Sequence, residues 1–134
     1  MTQFNHPALS LQKKKPLIYT AMSKHLFYFR MHVSKFVFEQ GGVPLNPFML
    51  SDYFLLDTVD RDLIRAANNT YVQAANEVWV FGPISDGILA EIKLAKVNVL
   101  PIRYFAIIKS KEIVPTRVEE VEMEEDVLAF RDSF

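Results

Sequence analysis

Cysteine is absent from all 134 residues, which excludes disulfides and thiolate metal sites. No apolar run approaches the ~20 residues needed to span a bilayer. Residues 1–11 are polar and lack the apolar stretch of a signal peptide. A dominant charge is missing too: fifteen Lys and Arg against sixteen Asp and Glu leave a net charge of −1. The composition therefore gives no reason to expect nucleic acid or an anionic membrane as a partner. There is no Gly-rich phosphate loop, dinucleotide fingerprint or zinc-ligand spacing. His25 and His32 lie about two helical turns apart, which does not suit joint ligation of one metal. No metal or cofactor is expected, and the expected location is the cytoplasm.

What is present is apolar bulk. Half of the residues are hydrophobic and eleven are Phe, enough for the core of a single domain. Residues 1–15, with the run Lys13-Lys14-Lys15, read as a solvated leader, residues 16–110 as the folded domain, and residues 111–134 as an acidic tail. Within that tail Val127-Leu128-Ala129-Phe130 is apolar enough to dock on its own domain or a neighbour. Residues 16–20 and 43–45 read as short strands. Between them Ser23 caps a helix that stops at Gly41-Gly42. That helix carries an apolar stripe of Leu26, Phe29, Val33, Phe36 and Val37. A second stripe of Phe27, Met31 and Phe38 suggests a subunit contact, making a homodimer or higher homo-oligomer the expected state. Helical spacing returns over residues 51–75, as one bent helix or two short ones. A third strand follows at 78–81, a helix at 86–96, a fourth strand at 97–100, and a fifth strand or continuation at 104–108. The alternation predicts an α/β three-layer sandwich, Rossmann-like or flavodoxin-like, with a mostly parallel four- or five-stranded sheet flanked by helices.

The most informative stretch spans residues 77–96, where an apolar strand stops at Gly82-Pro83 and Ser85-Asp86 opens a helix. Glu91 sits one turn inside, on the stripe between Ile88 and Ala95 that faces the sheet. Gly87, one turn earlier on the same face, places no side chain above the acid. Helical side chains lean toward the N-terminus, so Glu91 points back to the end of the strand, where open α/β sheets keep their ligand crevice. An ordinary surface Glu is the plain alternative, but an acid on the sheet-facing stripe needs a reason to be there. Ser85 and Asp86 are good helix caps; the Ser85 hydroxyl and the amides of Asp86 and Gly87 also suit the holding of a phosphate or sugar hydroxyl, while the Asp86 carboxylate repels a phosphate and suits a sugar hydroxyl.

Ser85-x-Gly87-x-x-x-Glu91 after a buried strand resembles the motif of the nucleoside 2-deoxyribosyltransferase-like superfamily, which includes deoxynucleoside monophosphate N-glycosidases. Leu17-Ile18-Tyr19-Thr20-Ala21-Met22-Ser23 is similar to its first strand and substrate loop. Gly41-Gly42-Val43-Pro44-Leu45-Asn46-Pro47 is similar to the second strand of uncharacterised relatives. The resemblance covers roughly residues 16–108. It implies N-glycosidic cleavage or (deoxy)ribosyl transfer on a nucleoside or nucleoside monophosphate, with Glu91 as the nucleophile. It also implies substrate contacts from Tyr19, Ser23, Ser85, Asp86 and Gly87. Arg30, in an aromatic surround, and Asn69 complete the candidate set. The chain departs from the pattern at Met22, where many members have Gly, and at Asn68-Asn69, where active members usually have Asp. These departures keep a non-catalytic nucleotide-binding or sensing module open as a second function. The aromatic helix keeps a structural assembly protein open as a third.

Overall fold

In a computed structural model describing residues 2–109 and 111–133, five strands form one sheet in the order β2-β1-β3-β4-β5. The strands are β1 (Leu17–Met22), β2 (Val43–Leu45), β3 (Glu77–Phe81), β4 (Ile102–Ile108) and β5 (Glu112–Thr116). The first four pair in parallel and β5 runs antiparallel to β4. The helices are α1 (Arg30–Glu39), α2 (Pro47–Leu50), α3 (Tyr53–Thr58), α4 (Arg61–Ala74) and α5 (Asp86–Val97). This is the expected α/β sandwich with five strands.

Strand alternation builds the three layers. Ile18 and Met22 of β1 and Trp79 and Phe81 of β3 meet Phe29 and the α1 residues Val33 and Val37 on one face. Tyr19, Ala21, Val78 and Val80 face the other way, onto Val72 of α4 and Ile88, Ile92 and Ala95 of α5. Each fully buried aliphatic side chain contributes ~1.5–3 kcal/mol, so a strand apolar at every position is held from both sides. The Trp79 indole N–H donates to Glu77 Oε1 at 3.1 Å, so the ring is buried without orphaning its polar atom.

Several boundaries differ from the sequence expectation. Residues 24–29 form a 3-10 turn before α1, with Ser23 Oγ accepting from the His25 amide. The segment 51–75 takes the two-helix alternative, α3 and α4, and Leu63, one of its apolar residues at helical spacing, is exposed while Val72 is fully buried. The strand expected at 97–100 is the end of α5. Leu100 N–H donates to Ala95 O and Val99 N–H to Lys96 O, closing the helix with Val99 at φ 55°. The β-branched valines imitate a strand there, and the strand itself begins beyond Pro101. Part of the segment read as an acidic tail belongs to the fold: β5 joins the sheet, and Val121, Met123 and Val127 are buried in the core beneath α5. Val127 thus docks on its own domain, whereas Leu128 and Phe130 remain exposed.

Candidate functional site

The chain crosses from β1 to β2 on one side and to β3 on the other, so the sheet reverses its winding between β1 and β3. Beyond the carboxyl ends of that pair lies the crevice in which open α/β sheets bind ligands. Ser23, Ile84 and Ser85 lie at or near these ends, and α5 starts there with Ser85 as its cap.

Tyr19 and Glu91 meet on the α4–α5 face. β1 runs on to Met22, beyond the end expected at residue 20, so Tyr19 sits mid-strand, and its hydroxyl donates to Glu91 Oε2. Burial pushes the Glu91 carboxyl up to about 7, and the Tyr19 hydrogen bond acts in the opposite, lowering direction. The Tyr19 hydroxyl is pushed well above its ordinary range by burial first and then by the Glu91 charge, with a smaller effect from Tyr71. At neutral pH the pair is therefore a neutral phenol holding a carboxyl poised between its two protonation states, an arrangement suited to a nucleophile or a base.

The other candidates fall into three groups. At the helix opening, Ser85 Oγ accepts from the Ile88 amide at 3.3 Å, Asp86 Oδ1 accepts from the Gly87 amide at 2.7 Å, and Gly87 is exposed. A Cβ on Gly87 would meet only Ser85 Oγ, at 3.9 Å, so the fold itself does not require glycine there. At the end of β1, Ser23 is buried and its hydroxyl donates to Glu124 Oε2 at 2.6 Å. Arg30 and Asn69 stand apart. Arg30 belongs to the opposite helix layer, with its guanidinium 3.9 Å over the Phe27 ring and donating to Phe27 O. Asn69 is exposed on α4.

Three residues escaped the sequence reading or were undervalued by it. The neighbour of Asn69, Asn68, turns inward and its Oδ1 is buried without a hydrogen-bond partner. Helical spacing could have found it, since Asn68 lies one turn before the buried Val72. Tyr71 lies close enough to Tyr19 to influence its titration. Glu124 was hidden in an acidic run. The alternation Val121-Glu122-Met123-Glu124, apolar at every second position, is the trace of an extended segment packed on one side. Met22 also changes meaning: its side chain is buried with Ile18 and Phe29 on the α1 face, away from Glu91, and fills no space in the crevice.

A cavity of about 140 Å³ is lined by Leu26, Tyr28, Gly82, Pro83, Ile107 and Val121, among others. Tyr19 and Glu91 are not in its lining, and it is below the ~300 Å³ of typical small-molecule sites. Among the described residues, no cluster of three or more His, Cys, Asp or Glu suits a metal ion. No helix among them is long and apolar enough to cross a membrane.

The sequence profile of a family described as "Domain of unknown function (DUF7768)" matches residues 19–105, the stretch from Tyr19 in β1 to Phe105 in β4. No curated protein matches the chain. Solved structures that match include the 2-desoxiribosyltransferase from Leishmania mexicana, with a TM-score of 0.56 over 84% of this chain and 85% of that one. At 14% identity the likeness is one of fold, and it agrees with the α/β architecture described above.

Proposed function

The chain belongs to the DUF7768 family, and for it we propose cleavage or transfer at the N-glycosidic bond of a nucleoside or nucleotide, with Glu91 as nucleophile. The observation that carries the proposal is the half-buried Glu91 carboxyl, held by the Tyr19 hydroxyl on the sheet face that leads to the β1–β3 crevice. The fold shared with a deoxyribosyltransferase supports the same substrate class.

Tyr19 engages one carboxylate oxygen and leaves Oε1 for the anomeric carbon. As the C–N bond breaks, its electron pair leaves with the base, which takes up a proton from solvent, while Oε1 stabilises the oxocarbenium-like carbon and then bonds to it. Attack by water or by a second base on this glycosyl ester returns the carboxylate. Ser23, Ser85, Asp86 and Gly87 line the approach from the helix opening; Arg30 and Asn69, turned elsewhere, have no assigned part in this mechanism.

The test is a panel of nucleosides and 5′-monophosphates, assayed for free base by chromatography, on wild type and Glu91→Gln. Release by the wild type should fall by ~10³-fold or more in the variant, a loss typical of a covalent nucleophile. Equal release by both proteins would remove Glu91 from the reaction. A non-catalytic binding module is favoured by the sequence at Asn68-Asn69, where the resemblance implies an Asp that orients substrate or nucleophile and an amide carries no charge to tune an acid. In that case the panel binds with no base released. For assembly we propose a homo-oligomer through the exposed apolar side chains of α1.

A further inference from the structure

After β5 the chain crosses the carboxyl end of the sheet and is fixed there by backbone and side-chain contacts. The Ile84 N–H donates to Glu122 O and the Glu124 N–H donates to Ile84 O, both at 2.8 Å. Val121 closes on Gly82, where an added Cβ would come within 2.9 Å of Val121 Cγ2. Met123 and Val127 are buried on either side of Glu124. The Glu124 side chain reaches the end of β1 and accepts from the buried Ser23 hydroxyl at 2.6 Å, with its other oxygen 3.9 Å from His25 Nε2. Because its backbone is bonded to Ile84, Glu124 also lies beside Ser85 and the opening of α5. This segment lies beyond residues 19–105, the part that matches the family.

Most of the polar groups at this mouth accept hydrogen bonds or are already engaged. Three of the helix amides that would hold an anion are taken by the chain's own oxygens: Gly87 N–H bonds to Asp86 Oδ1, Ile88 N–H to Ser85 Oγ and Leu89 N–H to Ser85 O. Glu124 and Asp86 place carboxylates there. Of the basic groups near the end of β1, the His25 side chain is largely in solvent, Lys24 is exposed, and the Arg30 guanidinium is turned onto Phe27. A phosphate entering the mouth would meet the like charges of Glu124 and Asp86 against the single neutral donor of the Ser85 hydroxyl, whereas a hydroxyl would find acceptors.

We infer that Glu124 is a specificity-determining residue that reserves the mouth between β1 and α5 for a neutral, hydrogen-bond-donating group such as a sugar hydroxyl and rejects a substrate phosphate there. The inference rests on the nucleoside reading above and narrows it to unphosphorylated nucleosides. The test is calorimetric titration of the full chain, wild type and Glu124→Gln, with a deoxynucleoside and with its 5′-monophosphate at fixed ionic strength. The wild type is expected to favour the nucleoside by roughly tenfold, the scale of one like-charge contact near a surface. Glu124→Gln keeps the acceptor for Ser23 and removes the charge, so the preference should shrink at least threefold through tighter monophosphate binding. Glu124→Ala, which also opens space, should shrink it further. A purely structural role would weaken both ligands together and leave the ratio unmoved, which overturns the inference, as does a wild type that binds the monophosphate as well as the nucleoside. Either result leaves the Glu91 reading standing if base release is still lost in Glu91→Gln. Binding of neither compound to any of the proteins overturns both.

Discussion

With its carboxyl pushed up to about 7 from an ordinary 4.5, Glu91 keeps its proton in the folded chain over a pH range where the unfolded chain has already released it. The folded state then binds more protons, so the group's contribution to stability falls as pH rises from about 4.5 to about 7 and is flat above and below that window. Glu91→Gln removes this dependence and keeps an acceptor for Tyr19. The variant should therefore match the wild type near pH 4 and exceed it by roughly 1–3 kcal/mol at pH 8, measured by urea unfolding at the two values. A constant difference between the proteins would mean that the carboxyl titrates normally. In the reaction the ionised form is the nucleophile, so base release should rise with pH and level off above about 7. Tyr19→Phe removes the hydrogen bond that holds the value down, so the rising limb should move to higher pH. A limb that stays in place would separate Tyr19 from the control of Glu91.

α5 shows what a single element reveals in sequence and what it conceals. Its cap at Ser85, its sheet-facing stripe of Ile88, Ile92 and Ala95, and the inward Glu91 follow from helical spacing. Its end does not, because Val97 and Val99 have the composition of a strand while the chain turns through a left-handed residue at Val99. Gly87 gives this helix a functional test. Glycine costs ~0.8–1 kcal/mol relative to alanine in a helix interior and less in the first turn, where Gly87 is the second residue of α5, and the space above Gly87 is open. Gly87→Ala should thus stabilise the chain by up to roughly 0.5 kcal/mol, read as a higher urea midpoint. If a ligand approaches Glu91 over that bare backbone, the same change should weaken nucleoside binding several-fold. A gain in stability with unchanged binding would show that the approach lies elsewhere.

At the scale of the whole molecule, the parallel core was legible because β1 and β3 are apolar at nearly every position and helices separate the strands. The crossing of the C-terminal segment was not, because it depends on pairing between Ile84 and residues about forty positions later, which leaves only a faint alternation in an acidic run. The second stripe of the first helix was legible in part. Phe27 is covered, its ring 5.4 Å from Phe48 and 4.7 Å from Tyr53.

Met31 and Phe38, by contrast, are 58% and 63% exposed, and Tyr28 in the preceding turn is 59% exposed. Positions 28, 31 and 38 recur at near-helical spacing, so the three side chains give one lateral strip rather than scattered apolar residues. A strip on one helix is self-complementary about a two-fold axis, and two-fold dimers are the commonest closed assembly. Light scattering coupled to size exclusion should give twice the 15.5 kDa chain mass or a higher multiple at micromolar concentration. Met31→Glu with Phe38→Glu should return the mass to that of one chain with the far-UV circular dichroism unchanged, because both residues point away from the sheet. A monomeric wild type would remove the assembly. A dimer indifferent to both substitutions would move the contact to the other exposed apolar surface, where Tyr53 and Phe54 of α3 stand 61% and 75% exposed.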